Sequence, residues 1–175
     1  MAAYNEIEIK ALTPSDWELL RAIRIDMVTE YPEYFLESPE RAEARLESEW
    51  RARLGDAVNR HFGFFDKDNL AGIIGVFRFD ALPERTVDIG MLYVRPPYRG
   101  NGLSRQGYKA CFDYAATLPD VDYAVTAHRE GNNASRKAIE DMGFKLAYIC
   151  EKPFGDNTFG KSWNYKIDII RGPHA

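Results

Sequence analysis

Residues 94–104 bring together a strand exit, two prolines, two glycines and a helix start, in the order Val-Arg-Pro-Pro-Tyr-Arg-Gly-Asn-Gly-Leu-Ser. Glycine adopts backbone conformations that other residues rarely reach, and it lets a ligand approach the main chain closely. The free amides of such a loop and of the first helical turn converge on one point. This arrangement predicts a site for an anion, and a pyrophosphate group fits it.

Cations cluster around this loop, although the chain as a whole carries a formal charge of -4. That charge gives no general attraction to nucleic acid or to an anionic membrane, so a bound anion must be held locally. The nearby cations are Arg95, Arg99, Arg105 and Lys109, with Arg136 and Lys137 on the next predicted helix.

Two other phosphate-binding loops are excluded by the sequence. The sequence contains no Gly-x-x-x-x-Gly-Lys-Ser/Thr motif, which a Walker loop requires. A Gly-x-Gly-x-x-Gly dinucleotide loop beginning at Gly100 would require glycine at position 105, which is occupied by Arg105. A tight turn that binds nothing is the remaining alternative. The succession of strand, prolines, arginines, glycines and helix favours the anion site.

The chain of 175 residues is 45% hydrophobic and 29% charged, which predicts one globular domain over residues 1–175. Its two cysteines, Cys111 and Cys150, have no metal-ligand spacing and suit a reducing compartment. The first residues lack the features of a signal peptide, and no apolar run approaches the length of a membrane span. We therefore expect a cytoplasmic protein with no metal, nucleic-acid or membrane partner.

Hydrophobic periodicity predicts an α+β domain with a mixed sheet and helices packed on it. A strand from Glu6 to Ala11 precedes a helix that starts near Thr13 and ends at Pro32, and a charged helix follows from Ser38 to about Leu54. The later predicted strands are 61–65, 70–79, 87–94, 121–127, 144–150 and 162–169, and the later helices are 102–117 and 134–142.

A second informative stretch runs from Asn132 to Gly143-Phe144. Asn132 or Asn133 can cap a helix, and Gly143 can end it. Asn132 also lies at a strand-to-helix junction beside the first loop, so it could reach the same ligand.

Together the two stretches resemble the GNAT superfamily of acetyl-CoA-dependent N-acetyltransferases. The phosphate motif of that family is Arg/Gln-x-x-Gly-x-Gly/Ala, five residues after a strand valine, and Arg99 to Ser104 after Val94 fits it with serine in the last place. The family's second motif runs from Asn through a helix to Gly-Phe, as here. The order of elements matches over nearly the whole chain, which predicts a mostly antiparallel central sheet.

The resemblance implies that acetyl-CoA is the co-substrate. Its pantetheine arm would pair with the strand that ends at Val94, the backbone amide near Leu92 would hold the thioester oxygen, and loop amides would hold the pyrophosphate. The implied contact residues are Leu92, Tyr93, Val94, Arg99, Gly100, Asn101, Gly102, Leu103, Ser104, Asn132 and Ser135.

Catalysis needs a base, because an alkyl ammonium has a pKa of about 10.4 and no lone pair. Asp88 is the candidate, since some family members carry a glutamate at this distance before the valine. Regular alternation would put Asp88, Gly90, Leu92 and Val94 on one face. Two alternatives stay open: a solvated aspartate at a strand start, and a bulge that would break the alternation and turn Asp88 away.

The tyrosine that protonates the leaving thiolate in many family members is replaced by Ile139. A thiolate can leave without full protonation, because the pKa of a thiol is only about 8.5. Ser135, a water molecule and His128 remain as alternative acids.

The acceptor is expected to be a primary amine of a small molecule. By resemblance the segment Glu30–Phe35 lies over the acceptor cleft, where Tyr31 and Tyr34 could contact a cationic amine. These rings could equally cover the core. A peptide or lysine acetyltransferase and a non-catalytic acyl-CoA-binding module stay open as alternatives, as does a homodimer.

Overall fold

A computed structural model describes residues 7–172, so Glu6, where the first strand was predicted to begin, lies outside the described part. The strands are β1 (Glu8–Ala11), β2 (Arg60–Asp66), β3 (Asn69–Phe77), β4 (Thr86–Val94), β5 (Tyr123–Arg129), β6 (Lys145–Pro153) and β7 (Phe159–Asp168). The helices are α1 (Trp17–Glu30), α2 (Pro39–Glu43), α3 (Glu47–Leu54), α4 (Leu103–Thr117) and α5 (Asn133–Asp141).

The strands form a seven-stranded sheet in the order β1-β2-β3-β4-β5-β7-β6. Every neighbouring pair is antiparallel except β4 and β5, which run parallel. The predicted α+β class and the mixed, mostly antiparallel sheet are confirmed. None of the helices in residues 7–172 is long and apolar enough to cross a membrane.

Each face of the sheet is covered by its own hydrophobic core. One core joins the sheet to α4 and α5, and its buried residues include Phe64, Ile74, Ile89, Leu103 and Ile139. The other joins the opposite face to α1 and α3, and its buried residues include Leu20, Ile23, Trp50, Ile73 and Tyr93. We call these the α4 face and the α1 face of the sheet.

The prediction of one charged helix from Ser38 to Leu54 was wrong, because α2 ends at Glu43 and α3 begins at Glu47. The break lies where Arg45 turns inward to the buried carboxylate of Glu37, which also accepts a hydrogen bond of 2.7 Å from Arg24 Nε. A buried carboxylate needs such partners. The amphipathic pattern of the segment did not reveal this inward turn.

The last strand begins at Phe159, three positions before the predicted start at Ser162. Phe159 pairs with Pro153 across the β6–β7 hairpin, so the hairpin is longer than its apolar pattern suggested. Gly155, Asp156 and Asn157 form the turn at its tip. The longer hairpin brings this turn to the α1 face.

Candidate active site

A cleft opens where β4 and β5 separate. The two parallel strands pair only from Thr86–Tyr123 to Asp88–Val125, yet β4 continues to Val94 and β5 to Arg129. Arg95 N donates to Ala71 O on β3, so by strand alternation the main-chain groups of Leu92 and Val94 point away from β3 into the cleft. A pantetheine arm that pairs with β4, as the resemblance implies, would bind along this edge.

The predicted phosphate loop, Arg99 to Ser104, lies at the mouth of the cleft. We call these residues the phosphate loop, and their backbone has the conformation that Gly100 and Gly102 allow. Gly100 and Gly102 have φ values of +79° and +73°, and a Cβ on either would meet nothing within 4 Å. The first i→i−4 hydrogen bond of α4 runs from Gln106 N to Gly102 O at 3.2 Å, so the preceding amides, including that of Ser104, have no helical partner. Open space and free amides together fit an anion.

Asn101 shapes this loop with its side chain. Its Nδ2 donates to Tyr98 O at 3.0 Å and to Arg99 O at 3.2 Å. The side-chain amide therefore holds the short 3-10 turn at Pro96–Tyr98 against the start of α4. The cofactor contact predicted at Asn101 stays a prediction, and its side-chain Nδ2 is already engaged in the loop.

A β-bulge interrupts β4 at Met91, whose φ is +61°. Ile73 pairs with Tyr93 but Gly75 pairs with Gly90, so two residues of β4 face one residue of β3. The bulge leaves Met91 and Tyr93 on the α1 face, whereas Leu92 packs on the α4 face.

The bulge overturns the expectation that Asp88, Gly90, Leu92 and Val94 share one face. Asp88 pairs with Phe77 on the α1 face, while Leu92 and Val94 pack on the α4 face. Asp88 therefore reaches the cleft from the side on which α1 lies. Regular alternation cannot anticipate an inserted residue.

Asp88 stands at the point where β4 and β5 separate. Its carboxylate leans over Gly90, since a Cβ on that glycine would lie 2.9 Å from Asp88 Oδ2. Burial raises the pKa of Asp88 to about 7, and the charge of Lys152 opposes the rise. A pKa in this range suits a base that works near neutral pH.

Arg99 directs its guanidinium at α1 and the residues that follow it. Its terminal nitrogens donate to both Glu30 oxygens at 2.9 and 3.0 Å and to Tyr31 Oη at 2.9 Å. Its Nε donates to Val94 O at 2.7 Å. The predicted cofactor contact of Arg99 stays a prediction, and most donors of this side chain are already engaged.

Residues 31–37, which we call the strap, cross the cleft between α1 and α2. Arg99 binds its first residue, Tyr31, and Arg129 at the end of β5 binds its third, since Arg129 Nη1 donates to Glu33 O at 2.8 Å. The same guanidinium binds Asp156 Oδ2 at 2.9 Å and Thr158 Oγ1 at 2.7 Å in the β6–β7 turn. Gly155 N also donates to Phe35 O at 2.6 Å. The strap and the turn are thus joined across the cleft.

A family comparison agrees with this geometry. The Acetyltransferase (GNAT) domain matches residues 6–145, which is most of the chain. The chain belongs to the GNAT acetyltransferase family. No curated protein sequence matches it.

Solved structures of other GNAT proteins share the fold at low sequence identity. Spermidine N-acetyltransferase from Vibrio cholerae, crystallised with CoA and spermine, has a TM-score of 0.75 at 17% identity over 93% of this chain and 95% of its own. NAA60 from Arabidopsis thaliana, crystallised with acetyl-CoA, has 0.74 at 15% over 94% and 99%. The ribosomal alpha-N-protein acetyltransferase RimL, crystallised with CoA, has 0.74 at 17% over 93% and 94%.

The second GNAT motif forms α5 as predicted. Asn132 Oδ1 accepts from Ser135 N at 3.1 Å, which caps the helix, and the cofactor contacts predicted for both residues stay predictions. Ile139 is fully buried, and its alkyl side chain has no proton to give, so this position supplies no acid. His128 is also buried, with Nδ1 2.8 Å from Arg129 O and Nε2 3.1 Å from Tyr165 Oη. A ring engaged on both nitrogens favours a structural role.

Tyr31 and Tyr34 lie on the strap with their rings stacked, 5.6 Å between centroids. Both side chains are half-buried. Their role in acceptor binding stays a prediction. Among the described residues, no three His, Cys, Asp or Glu side chains are grouped so that they could hold a metal ion.

Replacing Tyr34 with alanine is expected to raise the KM for the acceptor amine about three- to tenfold, because one cation–π contact contributes about 0.5–1.5 kcal/mol. Affinity for acetyl-CoA should change little. Steady-state kinetics together with isothermal titration separates the two effects. Tyr34→Phe is the matched control, since it keeps the ring and removes only the hydroxyl. Loss of acetyl-CoA affinity with an unchanged acceptor KM would place the acceptor elsewhere.

Three residues that shape this site had no role in it assigned from the sequence. Glu30 belonged to the predicted acceptor segment only through its neighbours, and neither Arg129 nor Gly155 stood in any motif. Each of them contacts a residue that is distant in the sequence; the partner of Glu30, for example, is Arg99. Such pairs become visible only when the strap crosses the cleft.

Proposed function

We propose that this GNAT protein transfers the acetyl group of acetyl-CoA to a primary amine of a small molecule. The observation that carries the acceptor class is the junction between the strap and the β6–β7 turn. Gly155 N lies 2.6 Å from Phe35 O, and Arg129 binds both segments. A polypeptide acceptor needs an open groove between these segments, whereas a small amine fits beneath a closed one.

The relatives of similar fold do not decide this point. One is described as a spermidine acetyltransferase and another as a protein acetyltransferase, both at 17% identity. The proposal for a small acceptor therefore rests on the closed cleft of this chain.

The phosphate loop supports acetyl-CoA as the donor. The left-handed conformations of Gly100 and Gly102 leave open space over the loop, and the free amides of the first turn of α4 face the same region. These amides would hold the pyrophosphate, and the edge of β4 at Leu92 and Val94, which no strand pairs and where Arg99 Nε occupies Val94 O, would hold the pantetheine arm. The thioester supplies an activated acetyl group.

Asp88 is proposed as the base, acting directly or through one water molecule. It accepts a proton from the ammonium group, and the freed lone pair of the nitrogen attacks the carbonyl carbon. The Leu92 amide donates to the carbonyl oxygen as negative charge develops there. The carbon–sulfur bond breaks, and the thiolate takes its proton from solvent, because Ile139 offers none.

The acceptor class is tested by turnover with acetyl-CoA and matched sets of acceptors, read by thiol release. One set contains polyamines, amino acids and aminoglycosides, and the other contains short peptides with free N-termini or lysines. We expect turnover with members of the first set. Turnover confined to peptides would contradict the small-molecule proposal, and binding of acetyl-CoA without any turnover would favour a non-catalytic module.

Gly155→Ala tests whether the closed cleft controls acceptor binding. The new Cβ would lie 2.5 Å from Glu37 O and 3.0 Å from Phe35 O, so the turn must move away from the strap. We expect acceptor KM to rise by about fivefold or more, since a lost backbone hydrogen bond and its repacking cost about 1 kcal/mol. Gly172→Ala, whose Cβ meets nothing within 4 Å, is the control. If Gly155→Ala had wild-type kinetics, the contact between the strap and the β6–β7 turn would not control acceptor binding.

A further inference from the structure

Arg99 is placed where two parts of the site meet. It precedes the glycines of the phosphate loop, yet its side chain extends to the end of α1 and the start of the strap. The guanidinium lies over the rings of Tyr31 and Tyr93, with distances of 5.5 and 5.7 Å to the ring centroids. With Glu30 as its counter-ion, the side chain contacts protein groups from β4, α1 and the strap, while part of it remains exposed.

Glu30 is the centre of this contact. It accepts from Tyr93 Oη at 2.5 Å as well as from Arg99. Burial alone would raise the pKa of Glu30, but the hydrogen bonds from Tyr93, Arg99 and Tyr31 lower it overall. Glu30 therefore stays ionised at neutral pH and binds β4, the phosphate loop and the strap at once.

We propose that the Arg99–Glu30 ion pair couples acetyl-CoA binding to the order of the strap, so that the bound cofactor prepares the acceptor site. The inference rests on the proposed function and assigns Arg99 and Glu30 as positioning residues. Val94 O accepts from Arg99 Nε, which fixes the guanidinium to the same edge of β4 that the pantetheine arm would use.

The coupling has a simple physical basis. A loop whose amides hold a pyrophosphate loses freedom between Arg99 and Ser104, and the guanidinium then presents a fixed partner to Glu30 and Tyr31. The strap is already bound at Glu33 by Arg129 and at Phe35 by Gly155, so fixing Tyr31 and the preceding Glu30 orders its first residues as well. Ordering by a first ligand reduces the entropy cost of the second, which gives positive cooperativity.

The experiment compares the wild type with Glu30→Gln, Arg99→Gln and the double variant. Amide hydrogen exchange of residues 31–37 is measured with and without acetyl-CoA, and acetyl-CoA affinity is measured by isothermal titration. In the wild type we expect acetyl-CoA to slow exchange in the strap about fivefold or more. Both single variants and the double variant should lose this protection alike, because they remove the same pair.

Acetyl-CoA affinity distinguishes coupling from direct phosphate binding. If Arg99 acts through Glu30, the three variants share one small loss of affinity, no larger than the coupling factor. With an acceptor from the turnover assay, they should raise acceptor KM and leave kcat unchanged. Asp26→Asn is the matched control. Asp26 lies on α1, as Glu30 does, and it forms an ion pair with Arg95 at 2.8 Å. The substitution breaks this neighbouring pair without changing a contact of the strap.

Two results with the variants would overturn the coupling. One is strap protection that survives in Glu30→Gln, and the other is a much larger loss of acetyl-CoA affinity in Arg99→Gln than in Glu30→Gln. Acetyl-CoA binding to the wild type without any strap protection would also overturn it and leave the proposed function intact. A wild type that does not bind acetyl-CoA would overturn both.

Discussion

Gly102→Val is expected to abolish acetyl-CoA binding while the protein stays folded. Gly102 has a φ of +73°, a region that costs a residue with a side chain about 1–2 kcal/mol and a β-branched residue more. The valine side chain would also occupy the open space through which the pyrophosphate approaches the loop amides. Strain and obstruction together should lower affinity by about a hundredfold or more, as isothermal titration would show.

Gly143→Val is the control for backbone strain alone. Gly143 has a φ of +90° at the end of α5, and a Cβ there would meet only Ile167, at 3.7 Å. Both variants should lose similar thermal stability, but only Gly102→Val should lose acetyl-CoA. If Gly102→Val bound acetyl-CoA with wild-type affinity, the phosphate loop would not be the site of the pyrophosphate.

Asp88→Asn is expected to lower kcat by about a hundredfold or more, which is the usual contribution of a general base. Asparagine keeps the shape of the side chain and removes its charge. Acetyl-CoA affinity should be unchanged, because the carboxylate lies on the α1 face of the sheet, opposite Leu92 and Val94. Steady-state kinetics and titration of acetyl-CoA would separate the two effects.

The pH dependence of kcat gives an independent test of Asp88. Burial raises its pKa to about 7, so the basic form is lost as the pH falls below that value and gained as it rises above. Wild-type kcat should therefore rise with pH through an inflection near 7. Asp88→Asn should lack this inflection and recover partly at high pH, where free amine is abundant. Asp113→Asn, on an exposed face of α4, should keep the wild-type profile. A wild-type profile in Asp88→Asn would assign proton removal to another group or to bulk water.

The sequence predicted features that local chemistry determines. The glycine loop before α4 could be predicted because glycines and a helix start carry their signal within a few residues, and the same holds for the cap at Asn132. Its binding of a pyrophosphate stays a prediction. Strand and helix periodicity likewise predicted the α+β sheet. Boundaries shifted where tertiary pairing decided them, as in the extension of β7 to Phe159.

Features that depend on distant partners could not be predicted. The bulge at Met91 changes the face of every later residue in β4, yet methionine in a strand gives no warning of a positive φ. α2 and α3 are separate helices because Arg45, which lies between them, turns inward to bind the buried carboxylate of Glu37, eight positions earlier. The side chain of Arg99 fits a phosphate motif by sequence and is directed at Glu30 by the fold.

The central claim is acetyl transfer from acetyl-CoA to an amine at the cleft between β4 and β5. It is tested most directly by incubating the wild type, Gly102→Val and Asp88→Asn with acetyl-CoA and a panel of small amines, and by measuring free thiol and acetylated amine together. The account predicts equal amounts of both products from the wild type, none above background from Gly102→Val, and slow turnover from Asp88→Asn that improves at high pH. A wild type that binds acetyl-CoA but acetylates no amine, or a Gly102→Val variant as active as the wild type, would contradict it.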